Sequence, residues 1–380
     1  MQLKSIEFRQ YEGIPSQWTL EGFPLGNINL LVGKNATGKS RTLNIIRALG
    51  NLVAGDIKLH FKSGNYKVTF DKNGEAITYL LQYEKSRVIR EKLIIGSDSK
   101  LDRGRNGAGK IWADKEDKMM EFQAPDTVLA CVNRRDEKQH PFFEDLYQWG
   151  KALRHYYFGE KMGREYLAAF VKESEESQLN LKDANLVVKI FAQGKKEFPQ
   201  RFLEYIRSDM ATIGYEINDI KIGMPKNVIF KGPMSQALKG LILKEEDLPG
   251  FTEQHEISQG MFRALSLVIQ LNYSQLASVP SCIVIDDIGE GLDYDRSTAL
   301  IKLLIKKAKA SSVQLIMSTN DRFVMNNVPL KYWCVTQRLS NTCKVYNYEN
   351  AKEKFDDFEL TGLSNFDFFA SEFWQNRQDR

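Results

Sequence analysis

The run Gly33-Lys34-Asn35-Ala36-Thr37-Gly38-Lys39-Ser40 is where residue types and spacing point most directly to chemistry. A turn bounded by glycines wraps its backbone N–H groups inward. The start of a following helix adds a positive dipole end, so phosphate groups are cradled. In such a loop Lys39 supplies a cation to β- and γ-phosphates, and the Ser40 hydroxyl is a ligand for Mg²⁺. The flanks fit: the apolar run Ile28-Asn29-Leu30-Leu31-Val32 precedes the loop, and Arg41 to Leu49 reads as a helix. Strand, turn and helix in this order imply a nucleoside triphosphate site.

Gly104-Arg105-Asn106-Gly107-Ala108-Gly109-Lys110 has the same spacing but not the same context. Ile111 stands where a metal-binding hydroxyl is needed, and the preceding segment is polar. The stretch 97–110 therefore reads as a mobile surface loop.

A second set of chemical residues lies far along the chain. Ile257-Ser258-Gln259-Gly260-Met261 opens a strongly apolar helix, offering a hydroxyl and free N–H groups to an anion. Cys282-Ile283-Val284-Ile285 is an apolar strand that ends in two carboxylates, Asp286 and Asp287. Acids at the carboxyl end of such a strand hold Mg²⁺ and position water. Gly291-Leu292-Asp293 and a helix follow, then the apolar strand Val313 to Met317 running into Ser318-Thr319-Asn320-Asp321.

The elements that must position these groups are those of an ordinary globular chain. Its 380 residues are 42% hydrophobic and 27% charged, with a net charge of +4, too small to argue for nucleic acid by itself. No run of about 18 apolar residues suggests a membrane span, and the N-terminus has no signal-peptide pattern. Cys131, Cys282, Cys334 and Cys343 form no C-x-x-C pair, and His60, His140, His155 and His255 have no metal-ligand spacing. A cytoplasmic location follows as an expectation.

Four regions are expected: 1–135, a lobe with the phosphate loop and an antiparallel meander; 136–250, a helix-rich insertion; 251–350, a second lobe; and 351–380, an aromatic tail. In the meander, Lys58–Phe61, Lys67–Phe70 and Ile77–Leu80 read as strands, with a hairpin signal at Asn73-Gly74. In the insertion, Phe143, Leu146, Trp149, Leu153 and Tyr156 make one helical face. Helices are also expected at Tyr166–Val171, Asp183–Phe191 and Phe198–Met210, with a strand pair at Ile217–Ile222 and Val228–Phe230. The polar segment Lys172–Ser177 reads as a solvated linker, and Lys302, Lys306, Lys307 and Lys309 as a solvated helix face.

Taken in order, these motifs resemble the ABC-type ATPases of the SMC, RecF and OLD branch, over roughly 1–55 and 251–350. The resemblance implies an α/β fold: a P-loop ATPase head with a mainly parallel core sheet, an antiparallel β subdomain and a helical insertion. It implies ATP and Mg²⁺ as cofactors. Gly33, Asn35, Gly38, Lys39, Ser40 and Arg41 match the Walker A region, although Ala36 replaces a frequent glycine. Asp286 matches the Walker B magnesium carboxylate and Asp287 the catalytic base. Ser258 and Gly260 match the signature, which in this family contacts the γ-phosphate held by the other subunit. Asp293 matches the D-loop acid, and Asn320 sits where many relatives carry a switch histidine. The Q-loop glutamine is either Gln123 or Gln139.

Two departures bear on rate. The base is usually Glu, and Asp287 is one methylene shorter; an ångström-scale misplacement can cost about 10²-fold. Glu290 is an alternative base, and Asn320 cannot titrate. Both point to slow turnover. The resemblance further implies a homodimer, or a larger assembly built on dimers, closing around nucleotide. The insertion is too short for long coiled-coil arms, and the residues after Asn320 leave no room for a fused Toprim nuclease. That leaves a separate effector, as in antiphage or toxin–antitoxin modules, or a RecF-like DNA clamp, or a non-hydrolysing ATP-gated scaffold, with no membrane role. If Lys39 holds the phosphates, Lys39→Ala abolishes ATP binding in a fluorescent-nucleotide titration while Lys110→Ala leaves it intact; the reverse pattern moves the site.

Overall fold

A strand that is apolar at nearly every position must be covered on both faces. Three such runs are buried from end to end in the computed structural model, which describes residues 1–59, 62–169, 180–227, 238–277, 282–311 and 313–375. The chain opens with β1 (Gln2–Gln10), β2 (Trp18–Pro24), β3 (Ile28–Val32) and α1 (Lys39–Val53). A meander follows: β4 (Ser63–Lys72), β5 (Glu75–Glu84), β6 (Arg87–Ile95), β7 (Asp98–Arg103), β8 (Ala108–Ala113) and β9 (Lys118–Gln123). Next come α2 (Ala130–Asn133), α3 (Glu144–Ala152), β10 (Arg154–Tyr157) and β11 (Ala168–Ala169). The middle of the chain continues with α4 (Val187–Glu197), α5 (Pro199–Ile213), β12 (Ile217–Gly223), β13 (Leu238–Glu245) and β14 (Thr252–Glu253). Then follow α6 (Gln259–Leu276), β15 (Cys282–Asp286), α7 (Tyr294–Lys309), β16 (Gln314–Ser318) and α8 (Arg322–Asn327). The last elements are β17 (Trp333–Leu339), β18 (Thr342–Asn347), α9 (Lys352–Glu359) and α10 (Asn365–Ala370).

One 14-stranded sheet runs in the order β10-β15-β16-β3-β17-β18-β2-β1-β4-β5-β6-β7-β8-β9. Its first five strands are parallel. The meander from β4 to β9 is antiparallel and continues the same sheet. Side chains of the parallel strands alternate between two cores, as a period of two requires. Leu30, Val32, Ile283, Ile285, Leu315 and Met317 face the core shared with α4 to α7. Leu31, Cys282, Val284 and Ile316 face the core shared with α1, α3 and the meander. Where α1 crosses α3, a Cβ on Gly150 would lie 2.4 Å from the Gly50 carbonyl oxygen, so only glycine lets the helices meet. A smaller sheet, β11-β13-β12 with β14 beside β13, lies outside this path.

Several expectations are corrected. The stretch 97–110 is not a loop: it forms β7, a tight turn and the start of β8. Arg103 is what makes a polar-looking strand stable there. It is fully buried with Glu91, 3.7 Å away, and it donates to the carbonyls of Val128 (2.9 Å) and Pro125 (3.2 Å). Glu91 also accepts from Tyr79 Oη and from the backbone N–H groups of Ala130 and Cys131. Within the second G-x4-G-K match, Gly107 and Gly109 serve packing, since a Cβ on Gly107 would lie 1.7 Å from Ala124 O and one on Gly109 2.5 Å from Asp102 O, while Gly104 has open space around it.

The helix expected through Tyr156 ends at Ala152, with Leu153 as its C-cap, and Tyr156 belongs to β10, which pairs with β15. Of the described residues within 166–171, Ala168–Ala169 form β11 and Tyr166 and Leu167 lie in no element, so no helix stands there. Lys58 and Leu59 lie outside any strand, and His60 and Phe61 are not among the described residues. Lys172–Ser177 and Val228–Phe230 also lie outside the described residues, and β12 pairs instead with β13. Lys307 is not on a solvated face: it pairs with Asp209 at 2.8 Å and donates to Asn272 and Gln275.

In the tail, Phe368 is fully buried against Trp333, Phe355 and Phe358, and Trp374 packs on Tyr346. No helix among the described residues is long and apolar enough to cross a membrane. The buried Glu91–Arg103 pair sets the prediction here. Arg103→Met leaves a buried carboxylate without its cation and costs about 3 kcal/mol in urea unfolding, and adding Glu91→Gln restores part of it. An unchanged midpoint for Arg103→Met would refute the assignment.

Candidate active site

Parallel strands deliver their carboxyl ends to one edge of the sheet, where ligands of open α/β folds collect. Here that edge carries Val32, Asp286, Ser318 and Tyr157, the last residues of β3, β15, β16 and β10. The loop after β3 is shaped by its neighbours. A Cβ on Gly33 would lie 2.2 Å from Thr336 Oγ1, because β17 runs alongside. Gly38 has φ 109°, a conformation that favours glycine. Ala36 holds φ 64°, a left-handed conformation that favours glycine. Asn35 is exposed at the crest. Lys39 is 7% exposed, and its Nζ donates to Gly33 O (2.7 Å) and Lys34 O (3.2 Å). Burial lowers its pKa, while the Asp287 and Asp286 carboxylates oppose that shift. Arg41 is exposed, stacks over Trp18 at 4.2 Å and donates to Gln10 Oε1 at 2.8 Å.

Asp286 is 4% exposed, and its Oδ1 accepts from two hydroxyls, Ser40 at 3.2 Å and Ser318. Ser318 Oγ also accepts from Asp287 N at 3.0 Å, and Ser318 O accepts from Ile288 N at 2.9 Å. The ends of β15 and β16 are thus clasped together. Asp287 has φ 54°, a left-handed conformation that Asp and Asn tolerate better than longer side chains. Burial pushes its pKa up, and the Asp286 and Glu290 carboxylates push it further against the pull of Lys39.

Ser318 and Tyr157 are the residues that the sequence reading missed. Tyr157 lies opposite Asp286 in register, and its hydroxyl donates to Asn44 Oδ1 at 2.6 Å. Asn44 Nδ2 in turn donates to Ser40 O at 2.9 Å. The position of Ser318, last in a buried strand, is a signal that could have been read. Tyr157 was hidden by the helical spacing of the residues before it. Neither candidate glutamine is on the parallel strands. Gln123 ends β9, the last strand of the sheet, and Gln139 bonds to Asp136 and Asp114.

Ser258, Gly260 and Asp293 form a second group, built on α6 and α7. Ser258 caps α6, its Oγ accepting from Met261 N at 3.3 Å. A Cβ on Gly260 would lie 2.6 Å from Gly291 O, so this helix start presses on the turn after β15. Asp293 caps α7 through Arg296 N at 3.0 Å. Asn320 is exposed between β16 and α8. The structure brings together Gly33, Lys39, Ser40, Asp286 and Asp287, with Gly38 and Arg41 at the same helix start. Asn320 follows two residues after Ser318.

No protein-family model and no curated protein matches this sequence. Solved structures do. One is an SMC head bound to the C-winged-helix domain of ScpA, with a TM-score of 0.53 and 13% identity, covering 91% of this chain and 97% of that one. Another is an SMC head domain with an extended coiled coil bound to the C-terminal domain of ScpA, derived from Pyrococcus furiosus. Its TM-score is 0.51 with 10% identity, over 94% of this chain and 99% of that one. This chain has the SMC-head fold. In that fold the expected mixed α/β architecture holds, while identities this low speak for the fold alone.

Asp287 supplies a pH test. Its folded-state pKa is raised, so folding favours the protonated form; that contribution is present below the ordinary carboxylate value of about 4 and is lost as pH rises through the raised value. Ionised Asp287 therefore costs stability at neutral pH. Asp287→Asn raises Tm at pH 7 and loses this advantage as the pH falls to about 4. An equal Tm for both proteins at pH 7 contradicts the assigned environment.

Proposed function

We propose that this chain is an ABC-type ATPase that binds ATP with Mg²⁺, hydrolyses it slowly and pairs two-fold around nucleotide. The observation that carries the reading is the juxtaposition of Lys39, Ser40 and Asp286 at the carboxyl ends of neighbouring parallel strands. These residues fit the group. A buried cation lies on the glycine loop, and a hydroxyl and a buried carboxylate stand 3.2 Å apart. Ser40 and Asp286 would hold Mg²⁺, which when bound neutralises phosphate charge and orients the leaving group. Lys39 draws the β- and γ-phosphates, and the loop N–H groups hold them in place.

Asp287 accepts the proton of the attacking water, and a pKa above the ordinary carboxylate range suits that role. Its left-handed backbone is a physical reason for a short carboxylate here, since Glu would add strain as well as reach. Asn320 offers a hydrogen bond but no titrating group. Slow turnover follows, with bound ATP acting as a switch. Gly33, Asn35, Gly38 and Arg41 complete the nucleotide side, and Ser258, Gly260 and Asp293 face the nucleotide of the second copy. We assign the output to a separate effector in an antiphage or toxin–antitoxin-like module. The motif order, which resembles the ATPase subunits of such modules, supports this.

The shared site is testable by complementation. Ser258→Arg is chosen over a change at Gly260, because any side chain there also strikes Gly291 in the same chain. Lys39→Ala and Ser258→Arg proteins, each inactive alone, are co-expressed with different tags, and the doubly tagged species is purified. An isologous pair places both lesions in one site and leaves the other intact, so hydrolysis returns. Background activity in that species, beside an active wild-type/Lys39→Ala pair, rules out the shared site.

A further inference from the structure

Arg263, in the second turn of α6, is 6% exposed, and its guanidinium hydrogen bonds go to main-chain carbonyls of two separate loops. Nε donates to Glu160 O at 2.8 Å, Nη2 to Gly159 O, and Nη1 to Glu290 O at 2.9 Å. The first two carbonyls lie just beyond Tyr157, and the third closes the turn that begins at Asp287. In that turn Glu290 N donates to Asp287 O at 3.2 Å. The contact is tight on every side. A Cβ on Gly291, whose φ is 80°, would lie 2.7 Å from Arg263 Nη1. A Cβ on Gly159 would lie 2.6 Å from Glu290 Oε2 and 3.5 Å from Asp287 Cβ. Gly260, one turn earlier on α6, presses on Gly291 O from the other end.

Packing alone would be served by an apolar side chain. A planar fork with donors in fixed directions is what two loops need if they are to keep one spacing. The loop beyond Tyr157 is also tied to the metal side of the site, since Phe158 N donates to Asp286 O at 2.9 Å and Tyr157 Oη donates to Asn44.

We propose that Arg263 is a positioning residue that makes the start of α6 and the acidic turn 287–290 move as one body. Docking of a second copy's nucleotide on Ser258 and Gly260 thereby sets Asp287 in this chain. This rests on the two-fold ATPase reading above. It adds a route by which each site reports to the other: phosphate contact at one end of α6 becomes placement of a base at the other site. The coupling element is rigid and local, one guanidinium spanning three carbonyls, so its removal separates binding from chemistry.

The test uses full-length Arg263→Lys, which keeps the charge and loses the fork. Amide hydrogen exchange is followed with and without adenylyl imidodiphosphate, alongside steady-state hydrolysis of ATP and thermal unfolding. In the wild type the analogue slows exchange at 33–41, 258–262 and 287–292. In Arg263→Lys the slowing at 33–41 and 258–262 persists and that at 287–292 is lost. Its kcat falls at least about tenfold with KM nearly unchanged, the mark of an interaction used in the chemical step and not in binding.

Wild-type protection at 287–292 together with wild-type kcat in Arg263→Lys overturns the coupling. So does loss of protection at all three segments, which would make the residue merely structural. If Arg263→Lys does not unfold cooperatively, Gly291→Ala, which displaces the same guanidinium from the other side, must give the same split, and its failure to do so counts against the proposal. Absence of any protection at 33–41 in the wild type instead defeats the nucleotide-binding reading, and the coupling with it.

Discussion

A buried carboxylate has to be met by hydrogen bonds, and Asp286 is met by hydroxyls from both of its neighbours. Ser40 reaches it from the start of α1, and Ser318 from the end of β16. That clasp ties α1, β15 and β16 together at the site. Ser318 extends it by accepting from Asp287 N, so the two acids share one anchor. The parallel pairing of β3, β16 and β15 brings these groups together, and the strands pair that way because both of their faces are apolar and both are covered.

Strain and close packing collect around the same edge. Ala36 and Asp287 both hold left-handed conformations without being glycine, at a cost of order 1 kcal/mol each. Gly33 is forced by Thr336 on the adjoining strand, and Gly260 by the turn at Gly291. Such positions persist only where the surroundings over-determine them. Here the surroundings are the two cores on either side of the parallel strands, together with the polar network of Arg263, Glu160 and Glu290. Away from the site, buried pairs do a different task. Glu91 with Arg103 locks the meander to α2, and Lys307 with Asp209 locks α5 to α7.

The residues legible in the sequence were those whose role is local. Lys39 and Ser40 follow a glycine turn and open a helix, Ser258 and Asp293 cap helices, and Asp286 ends an apolar strand; each signal lies within a few neighbours. Misreadings arose where a local pattern met a longer-range partner. Leu153 and Tyr156 continue a helical spacing, yet the helix stops at Ala152 and the segment holding Tyr156 pairs with β15. The 97–110 stretch reads as a loop from its polar residues, whereas Arg103 is paired with Glu91 on the neighbouring strand β6.

The glycine loop, the acid-ended strand, the helix starts and, through their order, the α/β class follow from the local sequence alone. Periodicity and capping are properties of neighbouring residues, and they need no knowledge of the rest of the chain. It takes the folded chain to bring Ser318 and Tyr157 into the site, to place Gln123 and Gln139 away from its parallel strands, and to let Arg263 tie α6 to the turn after Asp287. Those contacts span from 27 to 113 residues of chain, and the energy that selects them comes from packing and hydrogen-bond satisfaction in the folded state.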